Sequence, residues 1–245
     1  MFIKEENIII TIDVDWAPDF MVRRVIEMLL EKNVKATWFV TNESETLNEI
    51  RKYKENFEIG IHPNMLDGST HGKTEDEVLS YMKSLAPEAV SMRTHGLYQT
   101  SNWLIKASKE YGIKIDVSLF LPRTHYLQPH VVKWHGISLC RIPYFWEDDS
   151  EMSEEKPIWN VEDGRLYGDG LKIFDFHPVH LILNTVNYED YEKLKKIKPL
   201  SEWNEDFVKE HFNEGEGPLT LFKQLLDKIK GKGFLVKEIA ERYLQ

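Results

Sequence analysis

Short apolar runs alternate with amphipathic segments through the first 120 residues, and that order leaves few folds open. The run Asn7-Ile8-Ile9-Ile10-Thr11-Ile12 reads as a buried strand. Met21, Val22, Val25, Ile26, Leu29 and Leu30 then recur at helical spacing, with Arg23, Arg24, Glu27 and Glu31 between them. Further strands are expected at 35–40, 57–61, 89–92 and 113–119, separated by helices over 43–54, 74–85 and 102–111. Thr74-Glu75-Asp76-Glu77 carries capping-box chemistry, and Gly112 suits a helix end. This order asks for a parallel sheet with helices outside it. A chain of 245 residues fits one such unit, so the expectation is α/β: a single distorted (β/α) barrel of about seven parallel strands, one domain over 1–245. Beyond residue 120 the text is less regular. Strands are expected at 137–145, 171–176 and 234–236, helices at 219–229 and 237–243, and an acidic loop over 146–170.

The bulk numbers exclude several classes. A formal charge of -10 argues against a nucleic-acid surface, which carries a basic stripe. The lone Cys140 allows neither an internal disulfide nor a cysteine zinc cluster. No apolar stretch approaches the ~20 residues of a membrane span. The start, Met1-Phe2-Ile3-Lys4-Glu5-Glu6, has no signal-peptide pattern, so a cytoplasmic protein is expected.

Function is written at the strand ends. Asp13 and Asp15 close the first strand, two positions apart, and share a face if the extended backbone continues. Two carboxylates that close need a cation or a strong base partner. His62 follows the third strand, Arg93 and His95 the fourth, Asp116 and Ser118 lie near the end of the fifth, and Asp175 and His177 close a later one. In a parallel α/β barrel those ends converge on one face, where catalytic residues sit. Asp and His without Cys suit a divalent ion, zinc being the commonest, held by three protein ligands with a position left open. Asp15 and His62 are two such ligands, and His71 in Gly68-Ser69-Thr70-His71-Gly72 is the candidate third.

These residues in this order resemble the NodB-homology polysaccharide deacetylases, carbohydrate esterase family four. The resemblance runs through Thr11-Ile12-Asp13-Val14-Asp15, Ala36-Thr37-Trp38-Phe39-Val40, Glu58-Ile59-Gly60-Ile61-His62, Arg93, Gly112 through Asp116 to Ser118, and His177. The text around His62-Pro63-Asn64 and His177-Pro178 further resembles the WbmS-like subgroup, linked to surface-polysaccharide loci. Two departures stand out: Val14 separates the aspartates, and Leu66 occupies the position of the family's second ligand histidine. His71 or His95 must then complete the metal site. The resemblance implies a NodB-like fold and a metal-dependent hydrolase that removes an N-acetyl group from a sugar or surface-polysaccharide precursor. It implies Asp15, His62 and His71 on a divalent metal, Asp13 as base oriented by Arg93, and His177 as acid. Trp16, Trp38, Tyr98, Tyr144 and Trp146 are candidate sugar platforms, with core packing favoured for Trp38. The alternatives are a catalytically inactive carbohydrate-binding relative, another carbon–nitrogen hydrolase acting on a cyclic amide or imide, and a glycosyltransferase using Asp-x-Asp.

Overall fold

Residues 8–244 are described by this computed structural model. Strands β1 (Ile8–Asp13), β2 (Ala36–Val40), β3 (Phe57–Ile61), β4 (Ser91–Met92) and β5 (Ile115–Asp116) alternate with helices α1 (Asp19–Glu31), α2 (Glu45–Ile50), α3 (Glu75–Leu85) and α4 (Ser101–Lys109). The chain continues through β6 (His130–Trp134), β7 (Ile137–Arg141), β8 (Trp146–Glu147), α5 (Asp148–Glu151), β9 (Lys172–Phe176) and α6 (Pro178–Leu183). Helices α7 (Tyr188–Ile197), α8 (Glu205–His211), α9 (Pro218–Ile229) and α10 (Val236–Glu241) follow. Asn7, expected to open the first strand, lies outside the described residues.

The expected α/β architecture is present as one curled, mostly parallel sheet in the order β6-β7-β5-β4-β3-β2-β1-β9-β8. The count is nine strands rather than about seven, for two reasons. Strand β6 is an antiparallel arm on β7, and β7 and β8 are successive pieces of one path. That path pairs with β5 at Ile115↔Cys140, bridges Phe120 to Tyr144, then pairs with β9 at Trp146↔Phe174. It therefore draws the two sides of the curl together.

Burial explains why the apolar runs became parallel strands. Every residue of β1, β2, β3 and β9 is buried, as a sheet covered on both faces requires. Helix α1 lays Met21, Val22, Val25, Ile26 and Leu29 inward, each burial contributing roughly 1.5–3 kcal/mol. Thr74 and Glu77 form the expected capping box at the start of α3. Among the described residues, no helix is long and apolar enough to cross a membrane.

One expected strand is absent. Residues 234–236 lead into α10 instead, because the N–H groups of Val236 and Lys237 are taken by Thr37 Oγ1 (3.0 Å) and Glu58 Oε2 (2.8 Å). Those bonds satisfy a helix start and leave no strand ladder to join. Strands β4 and β5 are also shorter than expected: β4 starts only at Ser91, and β5 is trimmed at both ends to Ile115–Asp116.

Gly60 shows how packing below the strand ends prepares the site. It lies opposite Phe39 in the β2–β3 register. A Cβ there would meet the Phe39 ring and Ser91 Oγ at 2.7 Å. The same Phe39 ring lies 4.7 Å from the Arg93 guanidinium carbon. Gly60→Ala should therefore destabilise the fold by about 1–3 kcal/mol through overpacking. Urea unfolding checks this: a lower midpoint with an unchanged slope is expected, and an unchanged midpoint would contradict it.

Candidate metal centre

The turn after β1 brings the two aspartates together differently from strand alternation. Strand β1 ends at Asp13, and Asp15 and Trp16 both adopt left-handed backbone, with φ of 43° and 55°. Such a conformation is uncommon for tryptophan and costs on the order of 1–3 kcal/mol. It is held by Ala17 N–H donating to Val14 O and Trp16 N–H donating to Thr41 Oγ1. The turn carries Asp15 back over the strand ends towards His62.

Asp13 is fixed by a buried guanidinium. Arg93 Nη1 donates to Asp13 Oδ1 at 2.9 Å and also meets Asp175 Oδ1. Its Nη2 donates to Thr11 Oγ1 (2.9 Å) and its Nε to Val117 O (3.3 Å). The guanidinium lies 4.7 Å and 4.4 Å from the Phe39 and Tyr144 ring centroids. One cation thus serves two buried carboxyls. Burial raises the pKa of Asp175 well above its ordinary value despite Arg93, and raises that of Asp13 as well. Both carboxyls therefore hold a proton more readily than a surface aspartate, which makes Asp13 the stronger base.

Three ligand-type atoms meet at Asp15. Its Oδ1 lies 3.1 Å from His62 Nε2 and 3.3 Å from His95 Nδ1, and those two nitrogens are 3.1 Å apart. A tetrahedral ion with bonds of about 2.0 Å has ligand-to-ligand edges of about 3.3 Å, so the triangle fits a divalent metal. Asp15 Oδ1 is moreover buried and accepts no well-formed hydrogen bond. His62 turns its other nitrogen towards Asp13 Oδ2 at 3.5 Å, the outer carboxylate that metal-binding histidines commonly have. Burial is outweighed at Asp15 by His62 and His95, which hold its carboxyl well below the usual range.

His71, expected as the third ligand, lies outside this triangle. The cluster contains His95 in its stead. His71 Nδ1 accepts the Asn64 N–H at 3.0 Å, and its ring packs against Trp16 and Tyr81. Burial pushes its pKa down to about 4, and its Nε2 is buried without a hydrogen-bond partner. The loop before it is closed by its own side chains: Ser69 Oγ donates to Asn64 O and accepts from His71 N–H. Leu66 rests against the His95 turn, where a Cβ on Gly96 would lie 3.0 Å from it.

His177 approaches from β9. Its Nδ1 lies 2.6 Å from Asp148 Oδ1, and its backbone N–H donates to Asp148 Oδ2 at 2.8 Å. With Nδ1 committed, Nε2 faces Asp15 Oδ2 at 3.6 Å. Burial opposes a charge here but Asp149 and Asp148 outweigh it, so the His177 pKa stands well above its ordinary value. Asp148 and Asp149 lie in what reads as an acidic loop and His180 in α6, none of them marked by the sequence; His177-Pro178-Val179-His180 at i,i+3 is the available signal.

The remaining candidates support the site from behind. Asp116 accepts from Ser118 Oγ (2.6 Å) and Arg141 Nε (2.7 Å), while Ser118 Oγ accepts the Thr94 N–H. They brace the turn that presents Arg93 and His95. Trp38, Tyr144 and Trp146 are core residues with 0–1% exposure, which removes Tyr144 and Trp146 as sugar platforms. Trp16 and Tyr98 stay partly open to solvent.

The model of the WbmS-like polysaccharide deacetylases matches residues 10–195. The chain belongs to the WbmS-like polysaccharide deacetylases. The Bordetella bronchiseptica protein WbmS is 31% identical over 90% of each chain, with a TM-score of 0.77; its structure is described as that of a polysaccharide deacetylase assigned to O-antigen biosynthesis. The peptidoglycan deacetylase PdaC from Bacillus subtilis, 12% identical, covers 96% of this chain and 90% of its own at a TM-score of 0.50. A 4-alpha-glucanotransferase from Thermococcus litoralis, also 12% identical, covers 96% of this chain and 38% of its own at 0.55. These last two share the fold. No curated protein matches the sequence.

The two histidines separate by substitution. His95→Ala is expected to weaken Zn2+ binding to the metal-stripped protein by about a hundredfold or more, since even outer partners of a ligand are worth 10–100-fold. His71→Ala should leave affinity nearly unchanged while lowering stability. Calorimetric titration distinguishes them, and the reverse pattern would restore His71 as the ligand.

Proposed function

We propose that this WbmS-like polysaccharide deacetylase is a metal-dependent hydrolase that removes the N-acetyl group from a sugar, with residues 1–245 as one catalytic unit. Asp15, His62 and His95 would hold the divalent ion, most simply Zn2+, which when bound supplies a Lewis acid for the amide carbonyl and an acidified water. Asp13 accepts the proton of the attacking water, and Arg93 keeps its carboxylate in place. His177 gives the Nε2 proton to the departing amine, while Asp148 holds the ring through Nδ1. Trp16 and Tyr98, at the rim, offer aromatic faces to a sugar ring.

The observation that carries this reading is the pairing of Asp13 with Arg93 and of His177 with Asp148 beside one Asp15–His62–His95 triangle. A base whose pKa is raised and an acid whose pKa is raised suit the two proton transfers of amide hydrolysis. His95 also answers the chief argument for an inactive binding protein, which was the leucine at position 66. Surface-polysaccharide precursors are the substrate class favoured, by analogy with the O-antigen role given for the Bordetella relative.

Acetate release by Zn2+- or Co2+-loaded protein from N-acetylated saccharides tests the reading. Asp13→Ala and His177→Ala should each lower kcat by about 10²–10⁴-fold, the usual worth of a general acid or base. Full activity in both variants, or no acetate from any N-acetyl sugar, would overturn it. The pH profile gives a second check. His177 must be protonated to act, and Asp148 favours the protonated ring, so activity should fall on the alkaline side of a raised pKa. Asp148→Asn should move that alkaline limb to lower pH. An unmoved limb would assign it to another group.

A further inference from the structure

Beside the first triangle lies a second group of the same chemistry. Asp149, His177 and His180 place one ligand atom each within 4.8 Å of one another. His177 is the residue before α6 and His180 sits in its first turn, three positions on, so both imidazoles project from one face. Their ring centroids are 5.6 Å apart. Asp149 comes from α5, next to the Asp148 that fixes His177 through Nδ1 and leaves Nε2 free.

The contact between Asp149 and His180 is informative. Asp149 Oδ1 lies 2.7 Å from His180 Nε2, yet this buried oxygen accepts no well-formed hydrogen bond. The nitrogen and oxygen are close without an N–H pointing along the line between them. Asp15 Oδ1 stands in the same relation to His62 at the first site. A structural ion pair aligns its N–H, so this contact leaves both atoms available to a third partner. The other His180 nitrogen is buried without a partner, and the ring is held edge-on by Tyr191 at 4.7 Å. The Asp149 side chain keeps 35% of its surface exposed, which gives an ion an entry path.

We propose that Asp149, His177 and His180 form a second divalent-cation site, distinct from the Asp15–His62–His95 site and able to regulate it. The 2.7 Å between Asp149 Oδ1 and His180 Nε2 is shorter than the edge of about 3.3 Å that a tetrahedral ion needs, so an ion must spread this pair and binding here is the weaker of the two. An ion at this place takes the lone pair of His177 Nε2. His177 then carries no proton there to donate. Excess metal is thus an inhibitor, a consequence that rests on the acid role given to His177 above; the binding site itself does not.

Stoichiometry tests the site independently of activity. Metal-stripped protein titrated with Zn2+ in a calorimeter should bind two equivalents per chain, one tightly and one at least tenfold more weakly. His180→Ala and Asp149→Asn should each lose the weak equivalent and keep the tight one, and the partly exposed Asp149 makes its variant the safer one for folding. His62→Ala should lose the tight equivalent and keep the weak one. A single equivalent in the wild-type protein that is lost in His62→Ala, or two in both His180→Ala and Asp149→Asn, overturns the second site. Loss of only the tight, His62-dependent equivalent from the expected pair would defeat the proposed catalytic centre and leave this site standing. In the acetate assay, Zn2+ beyond one equivalent should slow the wild-type protein at least tenfold. The same inhibition in Asp149→Asn would remove the regulatory role.

Discussion

A single buried guanidinium organises this molecule. Arg93 is 1% exposed and meets carboxyls from two different strands, Asp13 at the end of β1 and Asp175 in β9. Burying a charge is costly unless it is paired and hydrogen-bonded, and Arg93 finds partners at Nη1, Nη2 and Nε. Removing it would leave two carboxyls buried together, a loss of about 3–5 kcal/mol for a broken buried pair. The strands must therefore sit in register around this group. That requirement links Gly60 to chemistry: its missing side chain admits Phe39, Phe39 supports Arg93, and Arg93 aims Asp13.

The chain places a triangle of ligand-type atoms at Asp15, His62 and His95 although the family's second histidine is missing from its usual position. The position where the wider family has its second histidine is Leu66, 47% exposed and packed on the turn at Gly96. The imidazole comes instead from His95, just past β4, two residues after Arg93. One short turn then supplies both the cation that holds Asp13 and the imidazole beside Asp15. Asp116, Ser118 and Thr94 brace that turn, which gives the Gly-x-x-x-Asp-x-Ser pattern a positional role here.

Much of this was legible in the sequence because a parallel strand buried on both faces must read as an apolar run. Ile8 to Ile12 and Phe57 to Ile61 did, and polar residues at their ends marked the working face. What stayed hidden depended on backbone turns and on contacts across the chain. Strand alternation suggested that Asp13 and Asp15 converge, but the left-handed Asp15 and Trp16 achieve it. His71 looked nearer to His62 by count, yet aromatic packing and the Asn64 N–H claim its ring. Asp148 and Asp149 resembled solvated loop acids until α5 carried them against His177 and His180. Residues 234–236 had strand composition, but Thr37 and Glu58 draw their backbone into a helix start.

The account stands or falls on where a divalent ion binds most tightly. Crystals of the metal-stripped protein soaked with one equivalent of Co2+ and measured at the cobalt edge locate it directly. An anomalous peak about 2.0–2.2 Å from an Asp15 oxygen, His62 Nε2 and His95 Nδ1 is the result expected. A peak coordinated by His71, or none at the Asp15 carboxylate, would contradict it.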